Sequence, residues 1–249
     1  MSLINNLFNR KRSFHPDLPG LAIHQYYQSG RNRRIRVYSP LFYRDSIRPS
    51  LYFRDYSHMP LVEQKALDLC RGRVLDAGAG AGSHSLWLQK KGMDVTALDH
   101  SPLSCRVMRE RGLSKVVCAD FFQYREGVFD SLLLMMNGIG IAGSLKGVEN
   151  LLDNLPNWLS RGGRLIFDSS DLSYLYQDRK GRDLSRYDFG MPYFGEIQFR
   201  FGYRSYLGNW FTWVYVDYSK MKTLASERGY SIDKVYEAEN KHYLATIRI

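Results

Sequence analysis

The run Val74-Leu75-Asp76-Ala77-Gly78-Ala79-Gly80-Ala81-Gly82 constrains this chain more than any other stretch. A short apolar segment leads into three glycines at alternate positions, and a helix-like segment follows from Ser83. Glycines in such a turn let the backbone bend tightly and approach a ligand with no Cβ in the way. In open parallel sheets, ligands bind beyond the carboxyl ends of the strands, where the strand order reverses. The turn therefore predicts a parallel α/β core with a nucleotide-type cofactor at its mouth.

The residues around it keep the matching rhythm. Pro60 opens a helix, with Glu63 in the first turn where the macrodipole favours an acid. Residues 73–76, 94–98, 115–119, 129–136 and 164–168 read as strands. Helices are expected over 83–91, 101–111 and 148–159. Strands separated by helices imply βαβ crossovers. The near-continuous apolar run Leu132-Leu133-Leu134-Met135-Met136 fits a strand covered on both faces. A chain of 249 residues, 44% of them hydrophobic, can build one such core with appendages.

The rhythm changes at both ends. Residues 1–20 read as an ill-ordered basic arm and 21–59 as a Tyr/Arg-rich lid. The lid holds a short echo, Phe42-Tyr43-Arg44-Asp45 and Tyr52-Phe53-Arg54-Asp55. The core is expected over 60–171, an aromatic-rich insertion over 172–216, and a closing helix and two strands over 217–249. Within the insertion, 193–216 alternates aromatic and polar residues, as a hairpin with turns near Gly202 and Gly208-Asn209 would. Its rings appear on both faces of the alternation. That reads as a contact with substrate or with a second subunit, a homodimer.

Charge and cysteines bear on partners and compartment. Residues 1–73 hold 13 Lys/Arg against 5 Asp/Glu, leaving 22 against 20 for the rest. A basic segment can steer toward nucleic acid or another anionic partner. Cys70, Cys105 and Cys118 are odd in number and show no zinc spacing, so no metal is expected. With no signal peptide and no apolar run long enough to span a bilayer, a cytoplasmic protein without a membrane partner is expected.

Three acids decide the cofactor. Asp76 closes the first strand, Asp99 the second and Asp120 the third. An acid in the place of Asp99 can accept from both ribose hydroxyls. Asp120-Phe121 can offer a carboxylate and a ring to an adenine. The glycine spacing is D-x-G-x-G-x-G, with Ser83 where a dinucleotide site wants its last glycine. Asp76 would repel a pyrophosphate but suits a cofactor bearing an amino group and a sulfonium.

On these motifs the chain resembles the class I S-adenosylmethionine-dependent methyltransferases, and in particular small bacterial "methyltransferase domain" proteins. The resemblance covers residues 60–171 and returns at 218–249. Phe129-Asp130 through Met136-Asn137-Gly138 match the fourth motif, and Arg161-Gly162-Gly163-Arg164-Leu165 the turn before strand five. It implies a Rossmann-like three-layer sandwich whose seven-stranded, mostly parallel sheet has an antiparallel last strand. It also implies one S-adenosylmethionine: Asp76, Gly78, Gly80 and Gly82 against the methionine part, Asp99 at the ribose, and His100, Asp120 and Phe121 around the adenine. Asn137 belongs to the same set. The fourth motif, Met136-Asn137-Gly138-Ile139-Gly140, is not the N/D-P-P-Y/W form of enzymes that methylate amide or exocyclic base nitrogens.

Methyl transfer from a sulfonium is a direct displacement, so the protein chiefly aligns the acceptor and excludes water. A base is needed only if the acceptor must lose a proton. Candidates past strands four and five are Asn137, Asp168, Asp171 and Tyr174, with Tyr176 and His84 nearby. Arg54 is expected to pair with the cofactor carboxylate, or else with Asp45 or Asp55. The leading function is methylation of a small molecule. The alternatives are a nucleic-acid methyltransferase or binder using Arg31, Arg33, Arg34 and Arg36 with Tyr26, Tyr27 and Tyr38, and a non-catalytic regulator that binds the cofactor.

Overall fold

The computed structural model describes residues 13–41, 45–176 and 193–249. Part of the N-terminal arm, three residues of the Tyr/Arg echo and residues 177–192 of the insertion lie outside them.

In chain order the elements are β1 (Ser13–Phe14), α1 (Leu18–Ser29), β2 (Ile35–Tyr38), β3 (Asp45–Ile47), α2 (Leu61–Leu69), β4 (Arg73–Ala77) and α3 (Ser83–Lys90). Next come β5 (Asp94–Asp99), α4 (Pro102–Glu110), β6 (Val116–Cys118), β7 (Phe129–Leu134), α5 (Leu145–Asp153), α6 (Leu155–Trp158) and β8 (Leu159–Ser170). β9 (Glu196–Tyr203), β10 (Tyr206–Val214), α7 (Tyr218–Ser226), β11 (Ser231–Glu237) and β12 (His242–Arg248) complete the chain.

Among the described residues the larger sheet has seven strands in the order β11-β12-β8-β7-β4-β5-β6. β4 pairs in parallel with β5 and β7, and β12 runs antiparallel to both of its neighbours. The chain winds outward from β4 through β5 to β6, then crosses back to β7. The switch point therefore lies between the carboxyl ends of β4 and β7. Leu132, Leu133 and Leu134 are fully buried, as a strand covered on both faces requires.

Local chemistry sets the helix limits. Ser101 caps α4 by accepting from the Ser104 amide, with Pro102 at the first helical position. Ser144 caps α5 in the same way through Gly147. The helix expected over 148–159 begins earlier, at Leu145, and breaks at Asn154. Pro156 cannot continue a helix through that point, so α6 is one short turn and Leu159 already belongs to β8.

The two appendages differ most from the sequence reading. Residues 18–20, assigned there to the ill-ordered arm, are the first turn of α1, which Asp17 caps through the Gly20 amide at 2.8 Å. The lid and the aromatic insertion are not separate pieces. Together with β1 of the arm they form, among the described residues, one five-stranded sheet in the order β1-β10-β9-β2-β3. Val37 of the lid pairs with Phe201 of the insertion, and Arg36 with Gly202. Leu18 and Ala22 of α1 pack with Ile35 and Tyr203 of that sheet. Ile23 on the same helix packs with Ala81 and Val107 of the core. The hairpin turn falls at Arg204-Ser205, later than Gly202, with Arg204 left-handed.

The aromatic alternation also resolves differently. Phe211 lies opposite Phe199 and Trp213 opposite Ile197, which puts the three rings on one face. On the other face Trp210 stands opposite Arg200 and Thr212 opposite Gln198. Two equally aromatic faces are therefore not present. Trp210 is the exposed exception, with the Arg200 guanidinium 5.8 Å from its ring centre.

Candidate functional site

The glycine turn is tied to the end of β5. The amides of Gly78 and Ala79 both donate to the Leu98 carbonyl, and the Gly80 amide donates to Asp99 Oδ2 at 2.8 Å. Gly78, Gly80 and Gly82 have φ of 79°, 59° and 80°, which a side chain would strain. Their surroundings separate their roles. A Cβ on Gly82 would collide with Met108 and Leu113 of the core, whereas one on Gly78 would meet open space. Gly82 is a packing glycine, and Gly78 presents bare backbone to open space.

Asp99 uses both carboxylate oxygens on backbone amides, Oδ1 on Ser101 and Oδ2 on Gly80, each at 2.8 Å. Each oxygen keeps a second lone pair. Burial pushes its carboxyl up, against the pull of those two amides. Tyr52 lies beside it, its hydroxyl pushed up to about 12 by burial and by the Asp99 charge. The Tyr52 carbonyl accepts from Ser83 Oγ at 2.8 Å, which ties the lid to the first turn of α3. His100 is exposed, with Nδ1 3.7 Å from Asp99 Oδ1.

Asp76 is buried and accepts from Ser85 Oγ at 2.6 Å. Burial raises its pKa, opposed by the neighbouring His84. Next to it lies a charged group that the sequence reading did not assemble. Arg54 Nη2 bonds Glu63 Oε1 at 2.6 Å, and Glu63 Oε2 bonds His84 Nε2 at 2.9 Å. Arg54 is thus paired with Glu63, neither Asp45 nor Asp55, because α2 brings Glu63 beneath the lid. Burial alone would lower the His84 pKa, but Glu63 and Asp76 outweigh it and raise it. Glu63 is held below its ordinary value because His84 and Arg54 overcome its desolvation.

Asp120 is exposed and caps the turn after β6, accepting from the Phe122 amide at 2.7 Å. The Phe121 ring, expected against an adenine, is buried and stacked on Trp158 at 4.4 Å between centres. Its face belongs to the core because Trp158 of α6 arrives there, which no local pattern announces.

Beyond β7 the backbone is strained. Met136 and Asn137 are consecutive left-handed residues with φ of 65° and 56°. Such geometry persists only where the surroundings hold it. Here Ser170 Oγ donates to Asn137 Oδ1 at 3.0 Å, and Trp213 Nε1 donates to the Asn137 carbonyl at 2.9 Å.

The Asp168-Ser169-Ser170-Asp171 run divides its work. Asp168, fully buried, accepts from the Gly138 amide at 3.3 Å and faces His242 Nε2 at 2.7 Å. Ser169 Oγ accepts from the Val216 amide, and Ser170 holds Asn137. Asp171 caps the next turn through Ser173 and pairs with Lys241 at 3.1 Å, which makes it structural. Tyr174 is exposed, and Tyr176 donates to the Phe194 carbonyl. Tyr215, between β10 and α7, is pushed up to about 12 by burial and then by Asp168, Asp45 and Tyr174. His242 and Tyr215 escaped the sequence reading. A histidine opening an antiparallel last strand sits at the carboxyl edge of its parallel neighbour, and that was the available signal for His242.

Two of the three tyrosines expected to stack bases pack against the lid itself. Tyr26 packs on Phe53 at 4.9 Å, and Tyr27 lies parallel to the same ring at 6.3 Å. No helix among the described residues is long and apolar enough to cross a membrane.

Comparison with known proteins agrees with this architecture. A family model described as "Methyltransferase domain" matches residues 75–167. A SAM-dependent methyltransferase from Bacteroides fragilis, solved with S-adenosyl-L-homocysteine, is similar at 35% identity, over 95% of this chain and 98% of that one, with a TM-score of 0.85. The CcbJ methyltransferase from Streptomyces caelestis shares the fold at 13% identity, over 78% and 98% of the two chains, with a TM-score of 0.59. CalS10, an amino pentose methyltransferase from Micromonospora echinaspora solved with SAM, shares it at 15% identity, over 78% and 93%, with a TM-score of 0.51. No curated protein matches the chain. With that fold, and with a 35% identical relative matched along nearly its whole length, the chain belongs to the class I S-adenosylmethionine-dependent methyltransferases.

Proposed function

We propose that the chain methylates a small molecule held between the carboxyl ends of β4, β7 and β8 and the aromatic face of the five-stranded sheet. The observation that carries this reading is the enclosure. The lid and the insertion form one sheet, and Trp213 pins that sheet to the strained Asn137 turn. A site roofed by the sheet face that carries Phe199, Phe211 and Trp213 would suit a compact acceptor better than a polymer.

The residues present fit S-adenosylmethionine. The open face of Gly78 lets a ligand meet bare backbone, and Asp99 retains acceptor capacity for two hydroxyls. Asp76 offers negative charge behind the turn. Arg54, held by Glu63, keeps its Nη1 for a carboxylate. His100 and Asp120, both exposed, follow the carboxyl ends of β5 and β6, and this reading gives them the adenine end of the cofactor. When bound, the cofactor supplies an electrophilic methyl group. The chain's own task is to orient the acceptor and exclude water.

The test incubates the protein with methyl-labelled S-adenosylmethionine and a cell extract, then separates the extract by size. Label in the low-molecular-weight fraction supports the proposal. Label confined to RNA or protein would overturn it.

A further inference from the structure

Resting on that reading of the cleft, we infer that His242 is the general base of the transfer and that Asp168 is its positioning residue. The acceptor is accordingly a group that must give up a proton to be methylated: a hydroxyl, or an ammonium that is deprotonated before its nitrogen attacks.

The geometry carries this assignment. His242 opens β12 and stands directly opposite Ser170 of β8, so it shares a sheet face with Asp168 two residues earlier. Asp168 is fully buried and offers one oxygen to Gly138 and the other to His242 Nε2 at 2.7 Å. A carboxylate only accepts, so Nε2 carries the hydrogen and the lone pair lies on Nδ1. The His242 side chain is 21% exposed, and among the described residues Nδ1 has neither a protein partner nor a place among the buried unpaired atoms. In the neutral imidazole this contact fixes one tautomer and leaves the other ring nitrogen open.

The dyad sits under the site. Gly138, bonded to Asp168, follows the strained Met136-Asn137 pair. Asn137 is held by Ser170, the residue facing His242, and by Trp213 of the roof. Among the described residues, the ionisable groups around the dyad include Tyr215 from the roof, Tyr174 and Asp45 near that hydroxyl, Tyr243 beside Asp168, and the Asp171–Lys241 pair alongside. The Asp171–Lys241 pair neutralises itself, and His242 offers an open ring nitrogen.

In the transfer, the acceptor heteroatom bonds to the methyl carbon while the carbon–sulfur bond breaks and its electron pair stays on sulfur. The acceptor proton passes to Nδ1 of His242 and from there to solvent.

Label transfer into the low-molecular-weight extract fraction, followed against pH, tests this with the full chain, His242→Gln and Asp168→Asn. Calorimetry with S-adenosylmethionine verifies that both variants still fold and bind. The expected result is a loss of about 10²–10⁴-fold in transfer for His242→Gln, with the wild-type rise in rate with pH abolished. Asp168→Asn loses activity because a carboxamide can stabilise the opposite tautomer. Transfer within about threefold of wild type in His242→Gln overturns the inference. A second readout needs no acceptor. Diethyl pyrocarbonate should modify His242 of the wild type at a rate comparable with exposed His100, and more slowly in Asp168→Asn. A protected His242 overturns the inference. Wild type that labels only the macromolecular fraction defeats the small-molecule reading instead. The dyad then stands or falls on the modification rates and on the same variants with that fraction.

Discussion

The indole N–H of Trp213 donates to the backbone carbonyl of Asn137 at 2.9 Å, joining the aromatic sheet to the strained turn beyond β7. Gly140 makes room for that ring, since a Cβ there would run into the indole. Trp213→Phe removes the bond and keeps most of the packing. It should cost about 1 kcal/mol of stability, leave S-adenosylmethionine affinity unchanged and lower acceptor turnover. Gly140→Ala should cost more, about 1–3 kcal/mol, by forcing the ring away. Urea unfolding beside calorimetry separates the two effects.

Gly78 and Gly82 look alike in sequence and should behave differently. Both are left-handed, so alanine at either costs about 1 kcal/mol in backbone strain. Gly82→Ala also presses on Met108 and Leu113, and should lower the melting temperature by clearly more. Gly78→Ala meets no protein atom. Its principal effect should be weaker cofactor binding, read by titration calorimetry. Equal melting shifts with unchanged affinity would refute the division.

The Arg54–Glu63–His84 group predicts a pH dependence of stability. His84 has a folded pKa above its ordinary 6.5, so its contribution is fully present below that value and is lost as pH rises through the raised one. Glu63 is held below 4.5, so its share is present above that value and lost as pH falls through the lowered one. Wild type should therefore weaken as pH climbs above 6.5, and His84→Gln should lack that decline. Denaturant midpoints across pH 5–9 measure it.

Arg54 has two partners in view, Glu63 in the protein and a carboxylate in the cofactor. Arg54→Ala should leave Glu63 and His84 as an isolated pair and cost about 1.5–3 kcal/mol, the loss of a hydrogen bond to a charged group whose carboxylate keeps one partner. It should also weaken S-adenosylmethionine binding. Arg54→Lys, which keeps the charge without the fork, should recover stability in larger measure than affinity. Affinity equal to wild type in both variants would remove the cofactor role.

The core was readable because its signals are local. Glycine at positive φ, a serine or aspartate before a helix and a continuous apolar run each act over a few residues, and β4 through β7 follow from them in order. The place of Asp99 at the end of β5 was legible for the same reason, while its bonds to the Gly80 and Ser101 amides came from the fold. Phe121 was not. Its strand-end position favoured a ligand, but Trp158 arrives from a helix over thirty residues later and claims the ring. Arg54 likewise depended on which acid the tertiary fold placed below it.

The sequence by itself determined a parallel α/β core, the glycine turn that follows β4 and the family, because short-range periodicity and backbone stereochemistry encode all three. Tertiary structure alone decided that the lid and the insertion are one sheet, that Trp213 holds Asn137 and that Asp168 faces His242. The last two contacts join residues 76 and 74 positions apart. They depend on strand order and register, which arise from the packing of the whole chain; the place of His242 at the head of the last strand marks a sheet edge but does not name its partner.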